Sequence, residues 1–287
     1  MNKLHGTGVA LVTPFTATGT IDWAAWERLL DFNLAGGVEY LVINGTTGES
    51  PTVTSSEKAE LLDVARRHVA GRVPLVYGIG GNDTATVEQQ LRSFDPSGIA
   101  AILSASPAYN KPSQAGIVAH YQRLADASPL PLILYNVPGR TSSNMLADTT
   151  LTLAQHENII GIKEASGNVE QCLAILAKKP ADFLFLSGDD MLTVPLIACG
   201  GQGIISVLGN AFPQKFSDMT RAALAGDYAR ANELLHYFVA LNPLMYEEGN
   251  PVGVKAALAL QGVCAPAVRL PLVPASEGLT ARIKALL

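Results

Sequence analysis

The sequence predicts an α/β fold of the (β/α)8 TIM-barrel class, followed by a small C-terminal helical appendage. Eight short apolar runs rich in Val, Ile and Leu recur along the 287 residues, and amphipathic stretches lie between them. Apolar runs that are continuous rather than alternating are typical of strands buried on both faces, as in a parallel sheet. Eight strand–helix repeats favour a closed barrel over an open doubly wound sheet, which stays as the alternative.

The elements follow in chain order. The predicted strands occupy residues 9–15, 40–45, 74–80, 100–106, 131–137, 159–165, 183–189 and 203–209. Helical spacing of apolar residues predicts helices over 23–34, 56–69, 115–127 and 145–156, then over 227–241 and 250–261, with a tail from 274. Asp22 and Thr54 precede two of these segments as candidate N-caps. We therefore divide the chain into a barrel that carries the active site (1–225) and a C-terminal helical region (226–287).

Composition excludes several classes of protein. The formal net charge is −5 and no stretch is strongly basic, so neither a nucleic-acid partner nor a polybasic membrane contact is expected. No apolar run reaches the ~18 residues of a membrane span, and the N-terminal run is too short for a signal peptide. Cys172, Cys199 and Cys264 are far apart and odd in number, which indicates free thiols in a reducing cytoplasm rather than disulfides or a metal site.

The active site of such a barrel lies at the carboxyl ends of the strands. Lys163, in the sixth apolar run, is the only Lys inside any of the eight runs. Burial favours a neutral amine, and a neutral amine in a dry site can attack a ketone to form an imine. The alternative is a structural Lys paired with a buried carboxylate such as Glu164 or Asp189. Alternation along the strand points Glu164 away from Lys163, which weakens the first pairing.

Other strand ends carry groups that suit this chemistry. Tyr135 lies near the end of the fifth run, and its phenol can both donate and accept a proton. Thr46 and Thr47 lie between glycines after the second run, where hydroxyls and backbone N–H groups could hold a carboxylate. Arg140 could grip a second carboxylate through two parallel hydrogen bonds. Each of these groups also has a non-catalytic interpretation. Tyr135 could be a structural Tyr, the two threonines could belong to an ordinary Gly-rich turn, and Arg140 could be a surface Arg.

These strand ends together resemble the dihydrodipicolinate synthase/N-acetylneuraminate lyase family. The similarity runs over essentially the whole chain, and it is carried by the motifs at 45–50 (Gly-Thr-Thr-Gly-Glu-Ser), 107–112 (Pro-Ala-Tyr-Asn-Lys-Pro), 135–140 (Tyr-Asn-Val-Pro-Gly-Arg), 161–165 (Gly-Ile-Lys-Glu-Ala) and 186–190 (Leu-Ser-Gly-Asp-Asp). The resemblance implies a barrel enzyme that binds pyruvate as a Schiff base and needs no metal or organic cofactor.

The resemblance also implies a proton relay. Lys163 would condense with pyruvate, and Tyr135 would relay protons through Thr46 to Tyr109, which a neighbouring subunit supplies. The catalytic unit would then be at least a homodimer, within a homotetramer.

The remaining implied roles concern binding. Thr47, with Thr46, would hold the pyruvate carboxylate, Arg140 would bind the carboxylate of aspartate semialdehyde, and Gly188 and Ile205 would contribute backbone contacts. The implied reaction condenses pyruvate with L-aspartate 4-semialdehyde to 4-hydroxy-tetrahydrodipicolinate, in the diaminopimelate route to lysine.

Three other functions are alternatives to this reaction. A sister lyase or aldolase for N-acetylneuraminate or a 2-keto-3-deoxy sugar acid would share Lys163 and Tyr135, but Arg140 and Tyr109 in their motifs favour the condensation. A non-catalytic 2-oxo acid sensor would not need a proton relay. An aldolase of phosphorylated sugars would need a phosphate site near the eighth strand, where residues 203–210 offer no cationic side chain.

This chain differs from the family pattern at positions that are associated with feedback inhibition by lysine. The resemblance implies that family members inhibited by lysine carry two His, an Asn, a Glu and a Tyr at an interface site. In this chain the Asn is present as Asn82, whereas the His positions are Ser55 and Lys58, the Glu position is Thr86 and the Tyr position is Ala108. We therefore expect that lysine does not inhibit this enzyme.

Overall fold

The computed structural model describes residues 4–287 and contains, within them, a closed barrel of eight parallel strands joined in sequence order. The predicted fold class is therefore confirmed. The strands are β1 (Gly6–Ala10), β2 (Tyr40–Ile43), β3 (Leu75–Gly78), β4 (Ala101–Ala105), β5 (Leu132–Asn136), β6 (Ile159–Glu164), β7 (Leu184–Ser187) and β8 (Gly203–Ser206). β1 pairs with both β2 and β8, which closes the sheet.

Helices surround the barrel and continue beyond it. They are α1 (Trp23–Ala35), α2 (Ser55–Val69), α3 (Thr84–Arg92), α4 (Gln114–Ala127), α5 (Pro138–Thr141), α6 (Ala147–Leu153), α7 (Val169–Leu176), α8 (Thr193–Ala198), α9 (Pro213–Leu224), α10 (Tyr228–Phe238), α11 (Asn242–Tyr246), α12 (Val252–Leu260) and α13 (Glu277–Lys284). Asp22 caps α1 by accepting from Ala25 N, and Thr54 caps α2 in a capping box with Glu57. None of the helices in this described range is long and apolar enough to cross a membrane.

The first strand differs from the prediction. The apolar run predicted a strand over 9–15, whereas β1 begins at Gly6 and ends at Ala10. The difference arises because Gly8 pairs with Tyr40 in register, and the Tyr40 ring occupies the space that a Cβ at Gly8 would need. Glycine has low strand propensity, so this part of the strand is not visible in the apolar pattern.

Side chains from alternate strand positions fill the barrel, and a larger cluster packs between the strands and the helices. Val42, Val76, Ile133 and Leu186 belong to the inner cluster and are buried. Lower in the barrel, the Tyr40 hydroxyl donates to the Ile204 carbonyl at 2.9 Å. The interior is thus a packed core, and it leaves room for chemistry only at the carboxyl ends of the strands.

The C-terminal region is helical, as predicted. The predicted segments 227–241 and 250–261 correspond to α10 and α12, and the tail contains α13. α10 packs against α9, with the rings of Phe216 and Phe238 5.3 Å apart. The proposed boundary at 225/226 falls between these two helices, and the division into two domains stays a prediction.

A buried histidine generates a prediction about pH. His120 lies in α4 with its Nδ1 2.8 Å from the Thr84 hydroxyl, and its Nε2 has no hydrogen-bond partner among residues 4–287. Burial lowers the pKa of His120 to about 4, so between this value and the unfolded value of about 6.5 the unfolded chain binds the extra proton. Stability is therefore lost as the pH falls through this window.

We expect the free energy of unfolding to fall by about 2 kcal/mol from this group when the pH drops from about 7.5 to about 5. Denaturant melts of the wild type and of His120→Gln at both pH values measure it, and the variant should lose less stability. His236→Gln, at an exposed position, is the control and should keep the wild-type pH dependence. Equal losses in wild type and His120→Gln would contradict the assignment.

Candidate active site

Lys163 lies near the end of β6 with its side chain inside the barrel, and it is 4% exposed. Its Cα pairs in register with that of Tyr135 on β5, so both side chains face the interior at the same level. The Lys163 Nζ atom is 4.4 Å from the centre of the Tyr135 ring. The structure thus brings together the two residues that the sequence singled out first.

The carboxylate next to Lys163 in sequence faces the opposite way. Glu164 is buried outside the barrel, where its oxygens accept from Asn136 Nδ2 at 3.0 and 3.1 Å and from Gln171 Nε2 at 3.0 Å. The Ser166 N–H donates to it as well, at 2.7 Å. This carboxylate is therefore satisfied by neutral donors on the face away from Lys163.

Asp190 is a second buried carboxylate near the carboxyl ends of the strands. It accepts from the Ser206 hydroxyl at 2.6 Å and from the Leu208 N–H at 2.9 Å, so it anchors the turn after β8. Burial raises the pKa of Asp190 to about 6, because desolvation of the carboxylate outweighs these hydrogen bonds.

No carboxylate of residues 4–287 lies within ion-pair distance of Lys163. Among residues 4–287, the ion pairs with N–O separations up to 4.0 Å involve other cations. Asp189, the other candidate partner, accepts instead from the Met191 N–H at 2.9 Å. The structure therefore does not support the alternative of a Lys163 held by a buried carboxylate.

The turn after β2 carries the two threonines. Thr46 begins a 3-10 turn (Thr46–Gly48), and Thr47 is buried. The Thr13 hydroxyl donates to the Gly48 carbonyl at 2.7 Å, which ties the turn to the segment after β1. Asn250 Nδ2 donates to the Thr47 hydroxyl oxygen at 3.1 Å. The sequence interpretation missed Asn250, which comes from the C-terminal region.

Gly188 directly follows β7 and lies against Lys163, and Ile205 belongs to β8. A Cβ at Gly188 would lie 2.6 Å from the Ala165 Cβ and 3.1 Å from the Lys163 Cε, so only glycine fits here without displacement. Ile205 is fully buried in the inner cluster.

Arg140 lies in α5 directly after β5 and is exposed, without an ion pair among residues 4–287. Its loop is closed by Asn136, which accepts from the Met145 N–H at 2.9 Å and donates to the Met145 carbonyl at 3.3 Å. A free guanidinium is thus held on a fixed loop beside the strand that carries Tyr135.

Tyr109 lies in the loop after β4, and its side chain, unlike those of Lys163 and Tyr135, is outside the barrel interior. Its side chain is 89% exposed, and its backbone is left-handed with φ of 69°. Asn82 holds the loop by accepting from the Ala108 N–H at 2.9 Å.

A cavity of about 810 Å³ is lined by Thr46 and Tyr135. Ser55 and Lys58 of α2 and Phe94, which follows α3, line the same cavity. In the described range, no group of three or more His, Cys, Asp or Glu is arranged to hold a metal ion.

Comparison with known proteins identifies the family of this chain. The model of the dihydrodipicolinate synthetase family matches residues 3–287. The 4-hydroxy-tetrahydrodipicolinate synthase of Cytophaga hutchinsonii is 51% identical over 284 residues, which cover 99% of this chain and 96% of the relative. A monomeric dihydrodipicolinate synthase variant superposes with a TM-score of 0.96 at 35% identity, covering 99% and 96% of the two chains. The dihydrodipicolinate synthase of Cyanidioschyzon merolae with lysine bound gives a TM-score of 0.94 at 36% identity, covering 99% and 97%. The chain belongs to the dihydrodipicolinate synthetase family.

Proposed function

We propose that this enzyme condenses pyruvate with L-aspartate 4-semialdehyde through a Schiff base on Lys163, giving 4-hydroxy-tetrahydrodipicolinate in the diaminopimelate route to lysine. The observation that carries the proposal is a buried Lys163 amine with no carboxylate partner, in register with the phenol of Tyr135. The names of relatives about half identical over nearly the whole chain support the same reaction.

The chemistry balances without an added oxidant or reductant. The Lys163 amine attacks the ketone carbon of pyruvate, and water leaves to form the imine. The imine nitrogen withdraws electrons, so the methyl group loses a proton and becomes an enamine carbon. This carbon attacks the aldehyde, and the amine of the semialdehyde then displaces Lys163 and closes the ring. Tyr135 carries protons to and from the reacting atoms, since a phenol both donates and accepts.

The binding roles follow from chemistry and position. We propose that Thr46 and Thr47 bind the pyruvate carboxylate, and that Arg140 binds the carboxylate of the semialdehyde through its free guanidinium. Gly188 and Ile205 would contribute backbone contacts where their strands meet the substrate.

We further propose that the enzyme acts in the cytoplasm as a homo-oligomer, at least a dimer and within a tetramer. The exposed Tyr109 side chain supports a shared site, because a relay residue that does not reach its own Lys163 can reach that of a neighbour. Free Cys172, Cys199 and Cys264 are consistent with a reducing compartment.

Covalent trapping tests the proposal. Incubation with pyruvate and borohydride should inactivate the enzyme and add one reduced pyruvyl group at Lys163, measured by intact mass and peptide mapping. Lys163→Ala should trap nothing. Arg140→Ala is the matched control: it should still trap pyruvate while its use of aspartate semialdehyde falls strongly. An adduct on a different lysine, or no adduct on the wild type, would rule the mechanism out.

The shared site is tested by Tyr109→Phe. This variant removes one acid–base contact, so its turnover should drop roughly 10²-fold while its sedimentation matches the wild type. Sedimentation and activity are measured at the same protein concentration. A wild-type monomer with full activity would refute the contribution of a neighbouring subunit.

Insensitivity to lysine is the third expectation. Ser55 and Lys58 line the outer cavity, and Lys58 has no ion pair among residues 4–287. A bound lysine would meet the like charge of Lys58 there, and Thr86 replaces the Glu that the lysine-inhibited family members carry. An unpaired buried charge costs several kcal/mol. Initial rates at subsaturating pyruvate should therefore stay unchanged when millimolar lysine is added. Clear partial inhibition in this assay would show the expectation to be wrong.

A further inference from the structure

A second lysine is buried more completely than Lys163, and it has a carboxylate partner. Lys255 in α12 is 0% exposed, and its Nζ lies 2.6 Å from Glu49 Oε1 and 2.7 Å from the Ala267 carbonyl oxygen. The Glu49 side chain is only 2% exposed. The pair also contacts an aromatic face, since the ammonium is 4.3 Å from the centre of the Phe15 ring.

Glu49 belongs to the turn that carries the two threonines. It follows the 3-10 turn directly and has a left-handed backbone, with φ of 55°. Such a conformation costs a residue with a Cβ roughly 1–2 kcal/mol, so surrounding contacts have to hold it. Both carboxylate oxygens are used for this: one accepts from Lys255, and the other accepts from the Arg269 N–H at 2.9 Å.

The same C-terminal segment reaches Thr47. Asn250, two residues before α12, donates to the Thr47 hydroxyl oxygen at 3.1 Å. Because the Thr47 oxygen accepts this hydrogen bond, the hydroxyl hydrogen of Thr47 points away from Asn250 and is available to donate to another group. Contacts from Asn250, Lys255 and Arg269 therefore hold the turn from a part of the chain about 200 residues away.

We propose that Lys255 and Glu49 are positioning residues, whose buried ion pair fixes the Thr46–Thr47 turn in the conformation that binds the pyruvate carboxylate. The inference rests on the proposed function, because it assigns pyruvate to this turn. Neither residue contacts the reacting atoms. Their effect reaches the substrate through the backbone of the turn, so the binding of pyruvate should respond more than that of the semialdehyde.

A double variant separates positioning from stability. Lys255→Met alone leaves the Glu49 carboxylate buried without its partner, which should lower the melting temperature strongly. Adding Glu49→Gln removes the second charge and keeps an acceptor for the Arg269 N–H. Because replacing both members of a buried ion pair is often neutral for stability, the double variant should regain most of the lost melting temperature.

The readout is the pyruvate concentration that gives half-maximal inactivation by borohydride. We expect it to rise roughly tenfold in the double variant, as for the loss of about one net hydrogen bond, with the adduct still on Lys163 at saturating pyruvate. The KM for the semialdehyde should change far less. Lys179→Met is the matched control, since Lys179 donates to the Phe183 carbonyl at 2.7 Å before β7 begins, at the opposite end of the barrel. It should leave the pyruvate dependence unchanged.

The two proposals fail in different ways. If the wild type traps pyruvate and the double variant has the wild-type pyruvate dependence, the positioning role is overturned. If the wild type traps no pyruvate at all, the proposed function itself is overturned, and the positioning role falls with it.

Discussion

Among residues 4–287, the buried carboxylates near the carboxyl ends of the strands all have hydrogen-bond or ion-pair partners, whereas the buried amine of Lys163 has no carboxylate partner. Glu49 holds Lys255, Glu164 accepts from neutral amides outside the barrel, and Asp190 anchors the turn after β8. Each carboxylate that is buried here is therefore already satisfied, and none neutralises Lys163. Lys163 is therefore a buried amine that no carboxylate among residues 4–287 holds in an ion pair. Schiff-base chemistry depends on that arrangement, because only the neutral amine is a nucleophile.

The alternation of side chains along the strands of a closed barrel separates the Lys163 amine from the Glu164 carboxylate. Successive residues of a strand face opposite sides of the sheet, so Lys163 lies inside the barrel while Glu164 lies outside it. The register between β5 and β6 sets Tyr135 beside Lys163 and, one residue later, Asn136 beside Glu164. The outer hydrogen-bond network thus locks the same register that aligns the inner pair. A slip of one residue would exchange the two faces.

Much of this follows from local patterns in the sequence. Continuous apolar runs predict the strands, and a single Lys within them predicts Lys163. The predicted bounds of the first strand are wrong because Gly6 and Gly8 interrupt the apolar pattern: the Glu39 side chain fills the space of a Cβ at Gly6, and the Tyr40 ring fills it at Gly8. Lys255 and its contact with Glu49 could not be predicted, because the two residues are 206 positions apart and pair only after the C-terminal region packs on the barrel. A lysine within the apolar helix α12 was the signal that could have indicated it.

We propose that the unpaired amine of Lys163 serves the condensation of pyruvate with aspartate semialdehyde. A steady-state assay on one preparation, supplied in turn with pyruvate plus L-aspartate 4-semialdehyde, with N-acetylneuraminate, and with a 2-keto-3-deoxy sugar acid, tests it most directly. Consumption of the semialdehyde should be detected only when pyruvate is present and should vanish in Lys163→Ala, and neither sugar acid should be cleaved. Efficient cleavage of either sugar acid, with no consumption of the semialdehyde, would contradict the account.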